Sequence, residues 1–294
     1  MDFGLILPSY RAGASAEGIE AAAASAAGLG WHSVFTTDHA LVDPSERSSE
    51  YAHIFDPLLT LAHLGARLPG LRLGISVLVV PMRNAVLLAQ TLATLDLLSR
   101  GRLLCGVGVG WNRIEFANVG AEERFAGRGA YLEESIALWR HLWGGGTGPF
   151  EGRFHQFGEV RFGPLPAQRA SVPIWIGGRS EAALGRAGRL ADAYHASASS
   201  PAQMAVRVPL IRAAAEQAGR PMPLLSARVR VAFGAHEEDG GYVLAGTAEQ
   251  MLGELHAWAE IGVEHLALDF IETDPARSVE LIERFDAEVR AAFR

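Results

Sequence analysis

The chain contains no lysine: all 26 basic residues are arginine, set against 33 acidic ones, for a formal net charge of −7. An acidic balance offers nucleic-acid phosphates no basic face, so no nucleic-acid partner is expected. Cysteine is nearly absent too. The single Cys105 excludes an internal disulfide and a multi-cysteine metal site, and its apolar neighbours read as those of a buried structural thiol. No apolar run is long enough to span a bilayer, so no membrane partner is expected. Met1-Asp2-Phe3 enters a strand pattern directly, without a charged and apolar leader. These absences set the expectation of a cytoplasmic protein that handles a small molecule. Alanine, glycine and arginine are abundant instead, a composition like that of a GC-rich actinobacterium.

What is present is alternation. Short apolar segments at 3–7, 33–37, 71–80, 102–109, 173–176, 193–196, 227–235 and 264–270 read as strands. Between them, helical patterns occupy 17–27, 57–68, 85–98, 129–143, 180–190 and 205–218. A further helix opens on the capping box Thr247-Ala-Glu-Gln250, and a last amphipathic helix ends the chain. Leu88, Leu92, Leu95 and Leu98 fall on one helical face, while Trp139 and Trp143 read as core. Residues 144–166 form a Gly-rich, aromatic connector, and Glu237 to Gly241 an acidic turn. Eight βα units without a Pro- or Ser-rich linker predict a (β/α)8 TIM barrel of α/β class. A doubly wound open sheet is the competitor. The expected organisation is one domain, 1–294, with inserted loops.

Barrel chemistry sits at the C-terminal ends of strands, which filters the candidates. Asp38-His39 follows the second strand, where a histidine can exchange protons and a neighbouring carboxylate can bias its tautomer. The structural alternative has Asp38 capping a turn and His39 bonding a carbonyl. A metal cluster of Asp38, His39, His53 and Asp56 is a further alternative. No His-Glu-x-x-His spacing occurs, and no zinc site is expected. The fourth strand ends in Gly106-x-Gly-x-Gly110-Trp111, where glycine lets backbone approach a flat ligand or packs a tight strand. Glu115 follows, either accepting from a heterocycle or favouring a helix start. In Trp175-Ile-Gly-Gly-Arg-Ser180 a strand turns into a helix, exposing amides beside Arg179. That suits a phosphate, or a tight turn that binds nothing.

Taken together, these residues resemble the bacterial luciferase-like oxidoreductase superfamily over essentially the whole chain. The resemblance is carried by Phe3-Gly-Leu-Ile-Leu-Pro8, Asp38-His39, Leu95-Asp-x-Leu-Ser-x-Gly-Arg102 and Gly106-x-Gly-x-Gly-Trp111. Pro173-Ile-Trp-Ile-Gly-Gly178, Ala191-Asp-Ala-Tyr194, Gly246-Thr-x-Glu249 and Gly262-Val-x-His-Leu266 complete it. It implies a barrel holding the 8-hydroxy-5-deazaflavin coenzyme F420 or, alternatively, FMN; Asp38-His39 and the Leu-Ser-x-Gly-Arg stretch resemble the deazaflavin branch.

By position, the resemblance implies a cis peptide at Ser76-Val77 behind the ring, and a phosphate turn at Gly177, Gly178, Arg179 and Ser180. Gly108, Gly110, Trp111 and Glu115 complete the implied cofactor-binding set. His39 would move the proton that accompanies hydride transfer, with Asp38 tuning it, and the loop from Leu41 to Asp56 would cover the substrate. The substrate would be an activated C=C, C=N or C=O, or an alcohol. A branched residue at Gly178 would then weaken cofactor binding far more than stability. Many relatives carry Gly-Trp where this chain has Ala193-Tyr194, a change expected to reshape the substrate side. A homodimer is also implied. The alternatives are an FMN-dependent monooxygenase with a separate flavin reductase, and a non-catalytic flavin-binding barrel.

Overall fold

Alternating strand and helix resolves into a closed barrel in the computed structural model, which describes residues 1–236 and 241–293, except for the side chain of Pro275. The strands are β1 (Asp2–Ile6), β2 (Ser33–Thr36), β3 (Arg72–Ile75), β4 (Leu103–Gly108), β5 (Ile174–Gly177), β6 (Ala193–Ser197), β7 (Leu224–Phe233) and β8 (His265–Phe270). Among the described residues these run parallel in chain order, β6 pairs β7, and β8 closes the ring onto β1. The helices that carry the chain back are α1 (Ala16–Gly28), α2 (Pro57–Arg67), α3 (Ala85–Leu98), the short α4 (Arg113–Asn118) and α5 (Arg128–Trp143). They continue with α6 (Glu181–Leu190), α7 (Pro201–Gln217), α8 (Ala248–Glu260) and α9 (Pro275–Phe285). Among the described residues, no helix is long and apolar enough to cross a membrane.

Local chemistry sets these boundaries. Asp56 accepts from the amides of Leu58 and Leu59 to start α2, and Asn84 does the same for α3. The expected capping box at Thr247 and Gln250 opens α8. A second box, Ser200 with Gln203, starts α7 four residues before the expected position 205. Pro201 fits there because the first turn has no use for its missing N–H. The long third strand expected over 71–80 is broken: β3 stops at Ile75, Ser76-Val77 is cis, and Leu78–Val79 then pairs with β4. Leu98 is a smaller miss. Leu88, Leu92 and Leu95 are buried, but Leu98, at the end of α3, is 67% exposed.

The connector 144–166 holds an antiparallel pair, Phe150–Glu151 with Gln156–Phe157, tied to α5 where Glu134 accepts from the amides of Arg153, Phe154 and His155. Val243–Gly246 adds a short strand beside β7, and of the acidic turn before it, residues 237–240 lie outside the described residues.

Trp139 and Trp143 of α5 are fully buried against α3, where their indole N–H groups donate to the Ala85 and Ala89 carbonyls. Cys105 is buried as well, and burial pushes its thiol far up, which keeps it inert. Inside the barrel, Phe35 lies across the axis. A Cβ on Gly74 of β3 would strike its ring, and one on Gly4 of β1 would come within 2.9 Å of it. Both glycines therefore make room for Phe35.

Candidate active site

His39 leaves the end of β2 with its Nδ1 3.0 and 3.1 Å from the two carboxylate oxygens of Glu115. Glu115 is fully buried, and the Ala40 amide also donates to it. Its position follows from α4: Asn112 caps that helix, accepting from the amides of Ile114 and Glu115. A carboxylate only accepts, so Nδ1 carries the imidazole proton and Nε2 keeps the basic lone pair.

Asp38 looks elsewhere. Its buried carboxylate accepts from the Val79 amide at 2.8 Å and from Arg83 Nη2 at 2.8 Å. The sequence reading paired Asp38 with His39; the structure gives that position to Glu115. The physical reason is that consecutive residues leaving a strand point apart, while Glu115 reaches across the mouth from α4, which follows β4, two strands along from β2.

The segment 41–56 folds over this corner of the mouth. Its short turn Glu46–Tyr51 places the Tyr51 ring 4.1 Å from His39 and stacks it on Tyr10 at 5.6 Å. Glu50 pairs with Arg230 at 2.8 Å and with Arg11 at 3.5 Å. Asp43 bonds Ser45, Ser48 and Asn112, and hydrogen bonds from Ser45 and Ser48 hold its carboxyl down at about 2. Trp111 lies 5.9 Å from His39, with the Arg47 guanidinium 4.0 Å over its face. A cavity of about 750 Å³ opens beside the loop, lined among others by His39, Asp43, Tyr51, Asp56 and Arg83.

Beneath lies a cluster that sequence reasoning missed. Buried Asp269 accepts from Tyr10 Oη at 2.6 Å, from Arg228 at 2.7 and 3.2 Å, and from Arg11 at 3.2 Å. Burial by itself would raise this carboxyl, but Arg11 and Arg228 with the Tyr10 hydrogen bond hold it well below the usual range. Burial pushes the Tyr10 hydroxyl upward, and the Tyr51 hydroxyl to about 12. Arg228 also reaches Thr37 Oγ1 and the Ser76 carbonyl, so the cluster supports the third-strand bulge. The available signal was Arg228 and Asp269, charged residues inside barrel strands, where apolar side chains ordinarily fill the interior.

The cis Ser76-Val77 peptide implied by the resemblance is present. Its valine revises the reading of the glycine ladder. A Cβ on Gly108 would lie 2.6 Å from Val77, and one on Gly177 3.1 Å from it. A Cβ on Gly110 would meet Val79 at 2.6 Å and Phe116 at 2.8 Å. These glycines make room for protein side chains, and Val77 becomes the shared surface that links β4 and β5.

At the β5–α6 turn, Arg179 and Ser180 are exposed, and Ser180 caps α6 by accepting from the Ala183 amide. Gly178 has φ +125°, and a Cβ there would approach that of Ala183 to 2.7 Å. A valine is thus strained at Gly178 with or without a ligand. Contrary to the sequence expectation, such a substitution costs stability as well as any cofactor binding. Tyr194 is buried, and its hydroxyl donates to the Gly178 carbonyl, so it braces this turn rather than shaping a substrate face.

His53 Nε2 lies 3.1 Å from the Ala14 carbonyl oxygen, away from Asp38. Among the described residues no three His, Cys, Asp or Glu side chains converge to hold a metal.

The luciferase-like monooxygenase family profile matches residues 1–239. The phthiodiolone/phenolphthiodiolone dimycocerosates ketoreductase of Mycobacterium tuberculosis is 34% identical over 273 residues, 84% of this chain and 70% of its own. An F420-dependent glucose-6-phosphate dehydrogenase of Microbacterium testaceum is 29% identical over 280 residues, 87% of this chain and 80% of its own. Among solved structures, an F420-dependent secondary alcohol dehydrogenase in complex with an F420-acetone adduct matches with a TM-score of 0.82 at 18% identity. That match covers 100% of this chain and 99% of the other, and it establishes a likeness of fold.

Proposed function

Because the chain belongs to the luciferase-like monooxygenase family, we propose that it is an F420-dependent oxidoreductase interconverting a carbonyl compound and its alcohol. The carrying observation is His39 held by buried Glu115 beside a cavity at the strand C-termini. The names of the two sequence relatives, a ketoreductase and a dehydrogenase, support the carbonyl–alcohol pair. The residues fit a flat, phosphate-bearing coenzyme. The first turn of α6 and exposed Arg179 supply the positive potential for phosphate, and Val77 supplies an apolar backstop for a ring.

When bound, the coenzyme supplies or accepts the hydride. Everything else falls to the chain. His39 takes the hydroxyl proton on Nε2 as an alcohol is oxidised, and returns it to the oxygen as a carbonyl is reduced. Glu115 fixes the tautomer and stabilises the imidazolium. Asp38 anchors Arg83 and the Val79 backbone. The 41–56 segment excludes water from the reacting atoms. The assembled form in this reading is a homodimer of a single 1–294 domain, as the family resemblance implies.

Fluorescence titration tests the assignment: oxidised F420 is expected to bind more tightly than FMN. Arg179→Ala is expected to weaken F420 binding about 10- to 100-fold, the worth of a charge-assisted bond to phosphate, with an unchanged melting temperature. Tighter FMN binding, or oxygen consumption with reduced FMN, overturns the reading in favour of a monooxygenase served by a flavin reductase.

A further inference from the structure

Along the barrel axis runs a line of polar side chains that the chemistry above does not use. It begins at the N-terminal face, where His32 Nε2 lies 3.7 Å from the carboxylate of exposed Asp2. His32 Nδ1 is 3.1 Å from Ser33 Oγ, which is 2.9 Å from His265 Nε2. His265 Nδ1 is 3.0 Å from Ser226 Oγ, and Ser226 Oγ is 2.8 Å from His195 Nδ1. His195 Nε2 then meets Ser76 Oγ at 2.9 Å, on the cis bulge itself. Imidazole and hydroxyl alternate without a gap.

All the members from Ser33 to Ser76 are buried. Phe35 stacks on His195 at 5.6 Å and 8°, and Trp175 packs against His195 and His265 at 5.7 and 5.1 Å. A Cβ on Gly4 would come within 2.6 Å of Ser33 Oγ and 2.9 Å of His265 Nε2, so glycine keeps that link open. Branched aliphatic side chains ordinarily fill a barrel interior, and replacing both partners of a buried hydrogen bond by apolar groups costs little. A polar line through this core calls for another reason.

We propose that this line is a proton path joining solvent at the N-terminal face to the Ser76-Val77 bulge at the cofactor site. The cofactor end rests on the coenzyme reading given above. Burial, with Arg228 nearby, pushes His195 down to about 3. Burial, with His195 and His32 as neighbours, also pushes His265 well down; His32 is lowered by burial, with Asp2 opposing and Arg72 adding. Neutral imidazoles each hold one N–H and one lone pair, so the line has two complete arrangements, donating all upward or all downward.

A proton joins His32 at Nε2, and His32 passes its Nδ1 proton to Ser33. The Ser33 hydroxyl proton moves to His265 Nε2, and the His265 Nδ1 proton to Ser226. The Ser226 hydroxyl proton moves to His195 Nδ1, and the His195 Nε2 proton to Ser76, whose own hydroxyl proton leaves into the mouth. One N–H or O–H bond forms for each that breaks, and no electrons change hands. The net movement is one proton, which hydride uptake by an oxidised deazaflavin requires. Hydride loss runs the line in reverse.

Nitrogen-15 NMR of the histidine rings in cofactor-free protein tests the path directly. In the wild type, the His195 and His265 nitrogens are expected to show shifts averaged between tautomers. Ser226→Ala is expected to freeze both rings in single tautomers and to lower deazaflavin-linked turnover about 10-fold, less than loss of a direct acid or base. Ser226→Thr, which keeps the hydroxyl, is expected to restore both. Ser33→Ala cuts the line at another link, should Ser226→Ala not fold. Fixed tautomers in the wild type, or an interrupting variant that changes only the melting temperature, overturn the path. Averaged tautomers in a protein that fails to bind deazaflavin keep the path and overturn only the coenzyme reading.

Discussion

His39→Ala is expected to lower turnover by about 10²–10⁴-fold, the range for a general acid or base, while F420 binding is retained. The motive is geometric: Nδ1 is committed to Glu115 at 3.0 Å, which leaves Nε2 to serve the substrate oxygen. Glu115→Gln separates the relay from packing. An amide of the same shape can donate to Nδ1, which selects the tautomer with its proton on Nε2 and removes the base. Its loss is therefore expected to approach that of His39→Ala, with the cofactor still bound. Asp38→Asn is expected to act on thermal stability, since its carboxylate serves Val79 and Arg83. Rates from a carbonyl and alcohol screen, with melting temperatures alongside, decide the matter. A His39→Ala protein that keeps its rate would assign the proton to water or to another side chain.

Asp269→Asn is expected to carry the largest stability loss, about 3–5 kcal/mol, as when one member of a buried ion pair is removed. Asp269 is 2% exposed and answers two guanidinium groups and the Tyr10 hydroxyl. Removing its charge leaves Arg228 buried without its carboxylate, while Arg11 retains Glu50. The pH dependence has a definite sign. The folded carboxyl titrates below its unfolded value, so its stabilisation is complete above that value, about 4 for Asp, and is lost as pH falls toward the folded one. Denaturant midpoints for wild type and variant should lie far apart near neutrality and draw together below the unfolded value. Equal midpoints at neutral pH would show that the cluster contributes nothing net.

Much of the fold is legible locally. Apolar runs bounded by glycine and caps mark the strands, and Thr247 with Gln250 marks a helix start that the structure reproduces. The resemblance carried the cis bond at Ser76-Val77, while the residues themselves singled out His39 and Glu115 without joining them. Periodicity reports which face of an element is apolar, and no more. What only the tertiary structure decided is who meets whom. His39 and Glu115 are 76 residues apart, and Tyr10 and Asp269 are 259 apart. Those meetings depend on how β8 closes onto β1 and on the register of each strand pair. A shift of one residue in a strand turns every inward side chain outward. The sequence alone therefore determines that a barrel forms and which strand ends carry polar groups. Closure and register decide that Asp38 holds Arg83, that Glu115 holds His39, and that three histidines and three serines line up along the axis.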